Sequence, residues 1–206
     1  TTLRWAMLIM AKHVDVQEKM RKEILEVVGK DRLPTMADQV KMPYSRVVVL
    51  ELQRFANIIA TNVQRVTLTD VQIRVYTLDR EDPDNVLYFQ GHTIPAGTWV
   101  NGDVRYIMSN DPVFVKPKEF RPERYLNEDG VTLKRDLVER TLPFSLGKRV
   151  CAGEGLARVE IFLGLTATIQ HYRILPREGM EIDLEPNVAA TFRLPKPQNL
   201  RLEKVV

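Results

Sequence analysis

"PFSLGKRVCAGEGLARVE", Pro143 to Glu160, holds the single cysteine of the 206-residue chain, Cys151. Gly147 and Gly153 bracket it, Lys148 and Arg149 precede it, and an apolar helical pattern follows. A glycine at 147 permits a turn with positive φ, and one at 153 lets a flat ligand approach the backbone closely. The pattern predicts a helix opening at Cys151 and running to about Gln170. Such a start aims free N–H groups and the positive end of the helix dipole at the sulfur. With Lys148 and Arg149 beside it, the thiolate is favoured over the thiol. The bland alternative is a small buried hydrophobe, the usual fate of a lone cysteine.

One thiolate cannot hold zinc or an iron–sulfur cluster by itself, and no CxxC or HExxH partner occurs. It suits a metal that already carries four other ligands, namely haem iron. The rest of the composition narrows the class. An apolar fraction of 44% argues against disorder. A single cysteine excludes a disulfide framework. The net charge of +3 does not suggest a nucleic-acid partner. No stretch of these residues reads as a signal peptide, and no apolar run is long enough to span a bilayer. The opening "TTLRWAML" begins in the middle of a helical pattern, without a cap or a polar lead-in. It reads as the start of a fragment whose N-terminal part is missing.

"TTLRWAMLIMAKH" places Leu3, Met7, Met10 and Ala11 on one helix face. "DVQEKMRKEILEVVG" follows as a second helix, with Asp15 as N-cap, Glu18 three residues on and Gly29 at the C-terminal end. "MPYSRVVVLELQRFANII" is apolar all round, which predicts a buried helix. Val63 to Val100 reads as short strands. "NDPVFVKPKEFRPERYLNEDG" reads as ordered but irregular, and the chain's last stretch as weak strands. The fold class is mainly α with small β-sheets. Glu51 and Arg54 in "ELQR" share a helix face at i and i+3, a common and weak surface arrangement. On a buried helix the same pair would need further partners, and Arg124 in "FRPERY" is the candidate third member.

These motifs together resemble the cytochrome P-450 superfamily of haem-thiolate monooxygenases, most nearly its microsomal family-2 type. "FSLGKRVCAG" is similar to the haem-binding loop, "ELQR" to the Glu-x-x-Arg of the K helix, and "FRPERY" to the meander motif with Tyr125 in place of Phe. The likeness runs over essentially the whole chain, 1–206, as the C-terminal part of a single cytochrome P-450 domain. It implies haem b with Cys151 as the axial thiolate, shielded by Phe144 in a loop shaped by Gly147 and Gly153. It also implies Arg149 and Arg65 as propionate partners, Glu51, Arg54 and Arg124 as a structural triad, and Ile58, Ile59, Val63, Val188 and Thr191 near the substrate.

The implied activity is insertion of one oxygen atom from O2 into an apolar substrate of the xenobiotic, steroid or fatty-acid class. Electrons would come from NADPH through a flavoprotein reductase, docked on a basic face containing Lys148, Arg149, Arg158, Lys134 and Arg135. The implied location is the cytoplasmic face of the endoplasmic reticulum membrane, with membrane contact only through the missing N-terminal part. The family's oxygen-activating pair would lie upstream of Thr1, and Thr1 and Thr2 are not assigned that role. Two other readings stand beside this one. The chain could be a non-catalytic haem-binding fragment or pseudoenzyme. It could instead be a cysteine hydrolase using His171 or His92 as base, although nothing in the sequence places either beside Cys151.

"VYTLDREDPDNVLYFQ", Val75 to Gln90, interrupts what otherwise reads as a short hairpin, "VTLTDVQIR-GHTIPAGTWV". The stretch is polar, carries three aspartates and one glutamate, and shows neither strand nor helix period. A valine codon begins with GT, and Tyr-Phe-Gln can be encoded as a pyrimidine-rich run ending in CAG. Those are intron boundary signatures, so the stretch reads as a retained intron. A genuine exposed loop and a protease-tag scar around "LYFQG" are the alternatives.

Overall fold

A computed structural model of the chain describes residues 1–73, 76–78, 86–88 and 92–205. They fall into two compact units, one of Thr1–Ala60 with Asp103–Val206, the other of Thr61–Gly102.

The first unit is helical. Helix α1 (Thr2–Lys12) and helix α2 (Val14–Val27) are separated only by His13. The face read for α1 needs correction. Leu3 is 37% exposed, whereas Trp5, Ala6, Leu8, Ile9, Met10 and Ala11 are all buried. The reason is tertiary: α1 packs against several neighbours at once, so more than one of its faces is covered. In α2, Asp15 lies inside the first turn rather than capping it. Glu18 reaches Arg21 and Arg173 instead of its own helix start. Gly29 follows the helix at φ +80, the left-handed conformation that ends helices without a Cβ penalty.

Helix α3 (Pro43–Ala56) starts on a proline, whose fixed φ suits the first helical turn. No residue of its own caps it. The Glu23 carboxylate on α2 accepts from the backbone N–H groups of Tyr44 and Ser45 at 2.8 and 2.7 Å. The run of Val47, Val48, Val49 and Leu52 is buried, as an all-round apolar helix requires. Val47 packs with Met108, Phe114, Tyr125 and Leu137 in one cluster, while Val48 and Leu52 join the larger core with Trp5, Ile24 and Phe162.

Two helices were not anticipated, α4 (Val104–Asn110) and α5 (Arg135–Arg140). Both are short, and Asp103 caps α4 by accepting from the Tyr106 N–H. The proline-rich stretch between them is irregular apart from one 3-10 turn at Pro122–Tyr125. The last helix, α6 (Glu154–His171), begins three residues after Cys151, with Gly153 at the N-cap. Cys151 therefore sits in the turn before the helix rather than opening it.

The second unit is built of antiparallel pairs. Strand β1 (Arg65–Val66) pairs with β6 (Trp99–Val100), and β2 (Val71–Ile73) pairs with β5 (His92–Ile94). Inside the interrupting stretch, β3 (Tyr76–Leu78) pairs with β4 (Val86–Tyr88). The reading of no strand in Val75–Gln90 is corrected at these two places; the rest of that stretch lies outside the described residues. Back in the first unit, β7 (Tyr172–Pro176) pairs with β10 (Leu200–Lys204), and β8 (Pro186–Ala189) with β9 (Phe192–Pro195). Among the described residues no helix is long and apolar enough to cross a membrane.

Candidate haem-binding site

Cys151 is exposed. Its backbone N–H donates to the Phe144 carbonyl at 3.0 Å, and its own carbonyl accepts from the Glu154 N–H at 3.3 Å. The cysteine is thus tied to the start of its loop on one side and to α6 on the other. The loop turns through two left-handed residues, Ser145 at φ 66 and Gly147 at φ 78. For serine that conformation is strained; for glycine it is free. A Cβ at Gly147 would meet nothing within 4 Å, so backbone conformation rather than space is the constraint there. At Gly153 an added Cβ would come 3.9 Å from the Cys151 sulfur, an ordinary contact.

Three large apolar residues close to Cys151 in the chain stand open to solvent. Leu146, Val150 and Leu156 are exposed by 63%, 43% and 66%. An exposed cysteine with exposed apolar residues close to it in the chain fits a flat macrocycle that presents a metal to the sulfur and hydrocarbon to its surroundings. The ring of Phe144 is half-buried against the core, and the Arg158 guanidinium lies 5.3 Å from its centre. Arg149 and Lys148 are both exposed. Arg158 pairs with Glu154 at 2.7 Å and Arg135 with Glu139 at 2.6 Å, so part of the expected basic face is neutralised locally.

Elsewhere in the first unit, the structure brings Glu51, Arg54 and Arg124 together out of solvent, with their side chains exposed by 0%, 1% and 2%. Arg54 donates to both Glu51 oxygens at 2.8 and 2.9 Å, and Arg124 Nε donates to Glu51 Oε1 at 3.1 Å. The Arg121 backbone N–H donates to that same oxygen at 2.9 Å. The guanidinium groups spend their other donors on carbonyls. Arg54 takes those of Met108 and Pro117. Arg124 takes those of Val115, Lys116 and Glu119. Burial pulls the Arg124 pKa down from its ordinary value, and the Glu51 charge opposes that. One carboxylate and two arginines therefore pin the irregular chain from Val115 to Arg121 by its backbone, and tie it to the Met108 carbonyl of α4.

The stretch after α3 meets the β8–β9 hairpin. Ile59 bridges to Phe192, Ala60 N–H donates to the Thr191 carbonyl at 3.1 Å, and Arg193 N–H donates to the Ile58 carbonyl at 3.0 Å. Ile58, Ile59 and Thr191 are half-buried at that junction, and Val188 on β8 is exposed. Val63 and Arg65 belong to the second unit, where Arg65 is half-buried on β1 opposite Val100. His171 closes α6, its Nδ1 3.0 Å from the Ala167 carbonyl. It is the last of 18 helical residues, which at 1.5 Å rise puts it roughly 26 Å along the axis from the helix start near Cys151. That separation removes it as a base for a cysteine nucleophile. His92 is in the second unit.

The family model for cytochrome P450 matches residues 1–82 and 77–202. Among curated proteins the chain is similar to Cytochrome P450 2H2 of Gallus gallus, 37% identical over 198 residues that make up 96% of this chain and 36% of the relative. It is similar also to Cytochrome P450 2E1 of Oryctolagus cuniculus, 38% identical over 196 residues, 95% of this chain and 36% of the relative. Cytochrome P450 2D26 of Rattus norvegicus is 37% identical over 203 residues, 98% of this chain and 36% of the relative. The chain thus spans 36% of the length of these relatives. A family match running over nearly all its residues shows that the chain belongs to the cytochrome P450 family.

Proposed function

We propose that the whole protein is a haem-thiolate monooxygenase acting on an apolar organic substrate of the xenobiotic, steroid or fatty-acid class. The observation that carries this is the Cys151 loop: an exposed cysteine held by backbone bonds at both ends, with Leu146, Val150 and Leu156 exposed within five residues of it in the chain. Cys151 would ligate the iron of haem b, and Arg149 and Arg65 would hold its propionates with guanidinium forks. When bound, the haem supplies reductive activation of O2 and transfer of one oxygen atom to the substrate. Phe144, backed by the core and by Arg158, would keep water from the sulfur. Glu51, Arg54 and Arg124 would act as a structural triad that fixes the chain upstream of the loop and so supports the thiolate's position. Ile58, Ile59, Val63, Val188 and Thr191 would line one side of the substrate space. An NADPH-dependent flavoprotein reductase would deliver electrons at the cytoplasmic face of the endoplasmic reticulum.

The test is spectroscopic. The full-length protein, reduced and exposed to carbon monoxide, is expected to give the strongly red-shifted Soret band of a thiolate-bound complex. Cys151→Ala is expected to abolish that band. Retention of the band in the variant would overturn the assignment. Turnover of an apolar substrate with reductase and NADPH separates a monooxygenase from a haem-binding protein without activity.

A further inference from the structure

A cavity of about 400 Å³ lies in the first unit, walled by α1, α3, α4 and the segment that carries β8 and β9. Trp5, Phe55 and Leu184 supply apolar wall, while Arg105, Lys118 and Arg193 supply positive charge. Two further cations on the wall are already committed. Lys12 donates to the Ile182 carbonyl at 3.0 Å, and Arg54 is locked to Glu51.

Arg105, Lys118 and Arg193 differ. Among the described residues none of their side chains has a hydrogen-bond or ion-pair partner. Arg193 is half-buried, and its pKa is pulled below the ordinary value, first by burial and then by the neighbouring Arg105 charge. The acids on the rim do not neutralise it. Asp183 is held by Lys196 at 2.7 Å, and Glu185 acts on Arg193 only at longer range. The Trp5 indole donates to the Arg193 carbonyl at 3.1 Å, which anchors β9 at this point. Arg105 is exposed and Arg193 half-buried, the Arg105 charge acts on Arg193 across the cavity wall, and a bound anion would offset that repulsion.

We propose that this cavity is an anion site, in which Arg105 and Arg193 clasp the phosphate or carboxylate group of a small organic anion. Guanidinium forks match both groups bidentately, which a lysine pair would not do. Lys118 adds charge at the same wall. The volume exceeds what one inorganic ion fills, so the apolar wall of Trp5, Phe55 and Leu184 receives the body of the ligand. The site is separate from the Cys151 loop in its residues, and a failure of the haem assignment would leave it standing.

The experiment is calorimetric titration of the haem-loaded full-length protein with inorganic pyrophosphate and, in parallel, with citrate, at ionic strength fixed by sodium chloride. Saturable binding of at least one of them is expected, and the preferred probe assigns the anion type. Arg193→Gln and Arg105→Gln are each expected to weaken binding about tenfold or more, the scale of one lost charged hydrogen bond. Lys148→Gln, on the cysteine loop, is expected to leave it unchanged. Without ligand, Arg193→Gln should melt no lower than the parent, because it removes a repulsion. Absent or non-saturable binding, or equal binding in the parent and both arginine variants, would overturn the proposal. So would a lower melting temperature of unliganded Arg193→Gln, since the guanidinium would then serve the fold and not a ligand.

Discussion

At the scale of single residues, the Glu51 carboxylate does the most with the least. Each of its oxygens serves a buried arginine, and one also takes a backbone N–H from Arg121. Removing it would leave two guanidinium groups out of water with no counter-charge. Glu51→Ala is expected to cost about 3–5 kcal/mol, the scale for breaking a buried ion pair on one side. Glu51→Gln, which keeps one acceptor oxygen, should cost less. Chemical denaturation of the full-length variants checks the order, and equal losses would show that the charge, which both variants lack, carries the whole cost and the remaining acceptor oxygen none of it. A second carboxylate gives a pH signature. Asp38 is bound by Arg32 at 2.7 Å and closes a capping box with Thr35. Its carboxyl is held well below the usual carboxylate range, chiefly by the Arg32 hydrogen bonds and next by the Thr35 N–H. A folded pKa lowered below the unfolded one means the contribution is present above about pH 4 and lost as pH falls towards the folded value. Parent and Asp38→Asn should therefore differ in melting temperature at neutral pH, and the gap should close in acid. A gap that is constant with pH would contradict this.

At the scale of elements, the second unit shows how an interruption can leave a hairpin intact. Strands β2 and β5 close at Ile73 opposite His92. Joining Arg74 directly to Gly91 would leave those two residues as the loop between them, a length common in hairpins, with glycine where positive φ is needed. Strands β3 and β4 form their own ladder, in which Tyr76 faces Tyr88. Continuing the β2–β5 register would instead put Tyr76 opposite Phe89, so the second ladder is out of step with the first by one residue. The family match also divides here, its two segments overlapping at residues 77–82. We read Val75–Gln90 as an insertion at a hairpin tip, of retained-intron origin. Its deletion is expected to leave the melting temperature and the carbon-monoxide spectrum of the full-length protein unchanged. A large loss of either would show that the stretch is integral, and messages that all retain it would refute the intron origin. How much of this was legible follows from how local each signal is. The Cys151 loop and the Glu51–Arg54 spacing are written in short runs of sequence, and so is Gly29 at the end of α2. The cap on α3 was not legible, because it comes from Glu23, 21 residues upstream of Tyr44. Helix α4 is short and weakly periodic, and its Asp103 cap is its main local mark. The start of α6 was misplaced because Cys151 N–H bonds back to Phe144 instead of joining the helix. Arg105 and Arg193 left no trace at all, since only the tertiary fold places these two distant residues on the wall of one cavity.

At the scale of the whole molecule, the question is what the outer face of the Cys151 loop presents to a partner. Five cations were expected to form a basic face for an acidic reductase, and local pairing sorts them. Arg135 lies in an i,i+4 pair with Glu139 and Arg158 in another with Glu154. Each such pair is close to neutral when viewed from a distance and is worth little in stability. Lys134, Lys148 and Arg149 are exposed and carry the unbalanced charge. Long-range steering depends on that unbalanced charge and falls off over a Debye length of about 8 Å at physiological salt. Reversal at Lys148 and Lys134 should therefore slow reduction by the flavoprotein more than reversal at Arg135, where the lost cation already had a partner. Arg149 is left out of the series because its proposed role towards haem would confound the rate. The parent rate should fall as salt is raised, and the Lys134→Glu, Lys148→Glu double variant should start lower and respond less. Stopped-flow reduction across a salt series measures both effects. A rate indifferent to ionic strength, or an Arg135→Glu variant slower than the lysine double variant, would remove this surface as the docking face.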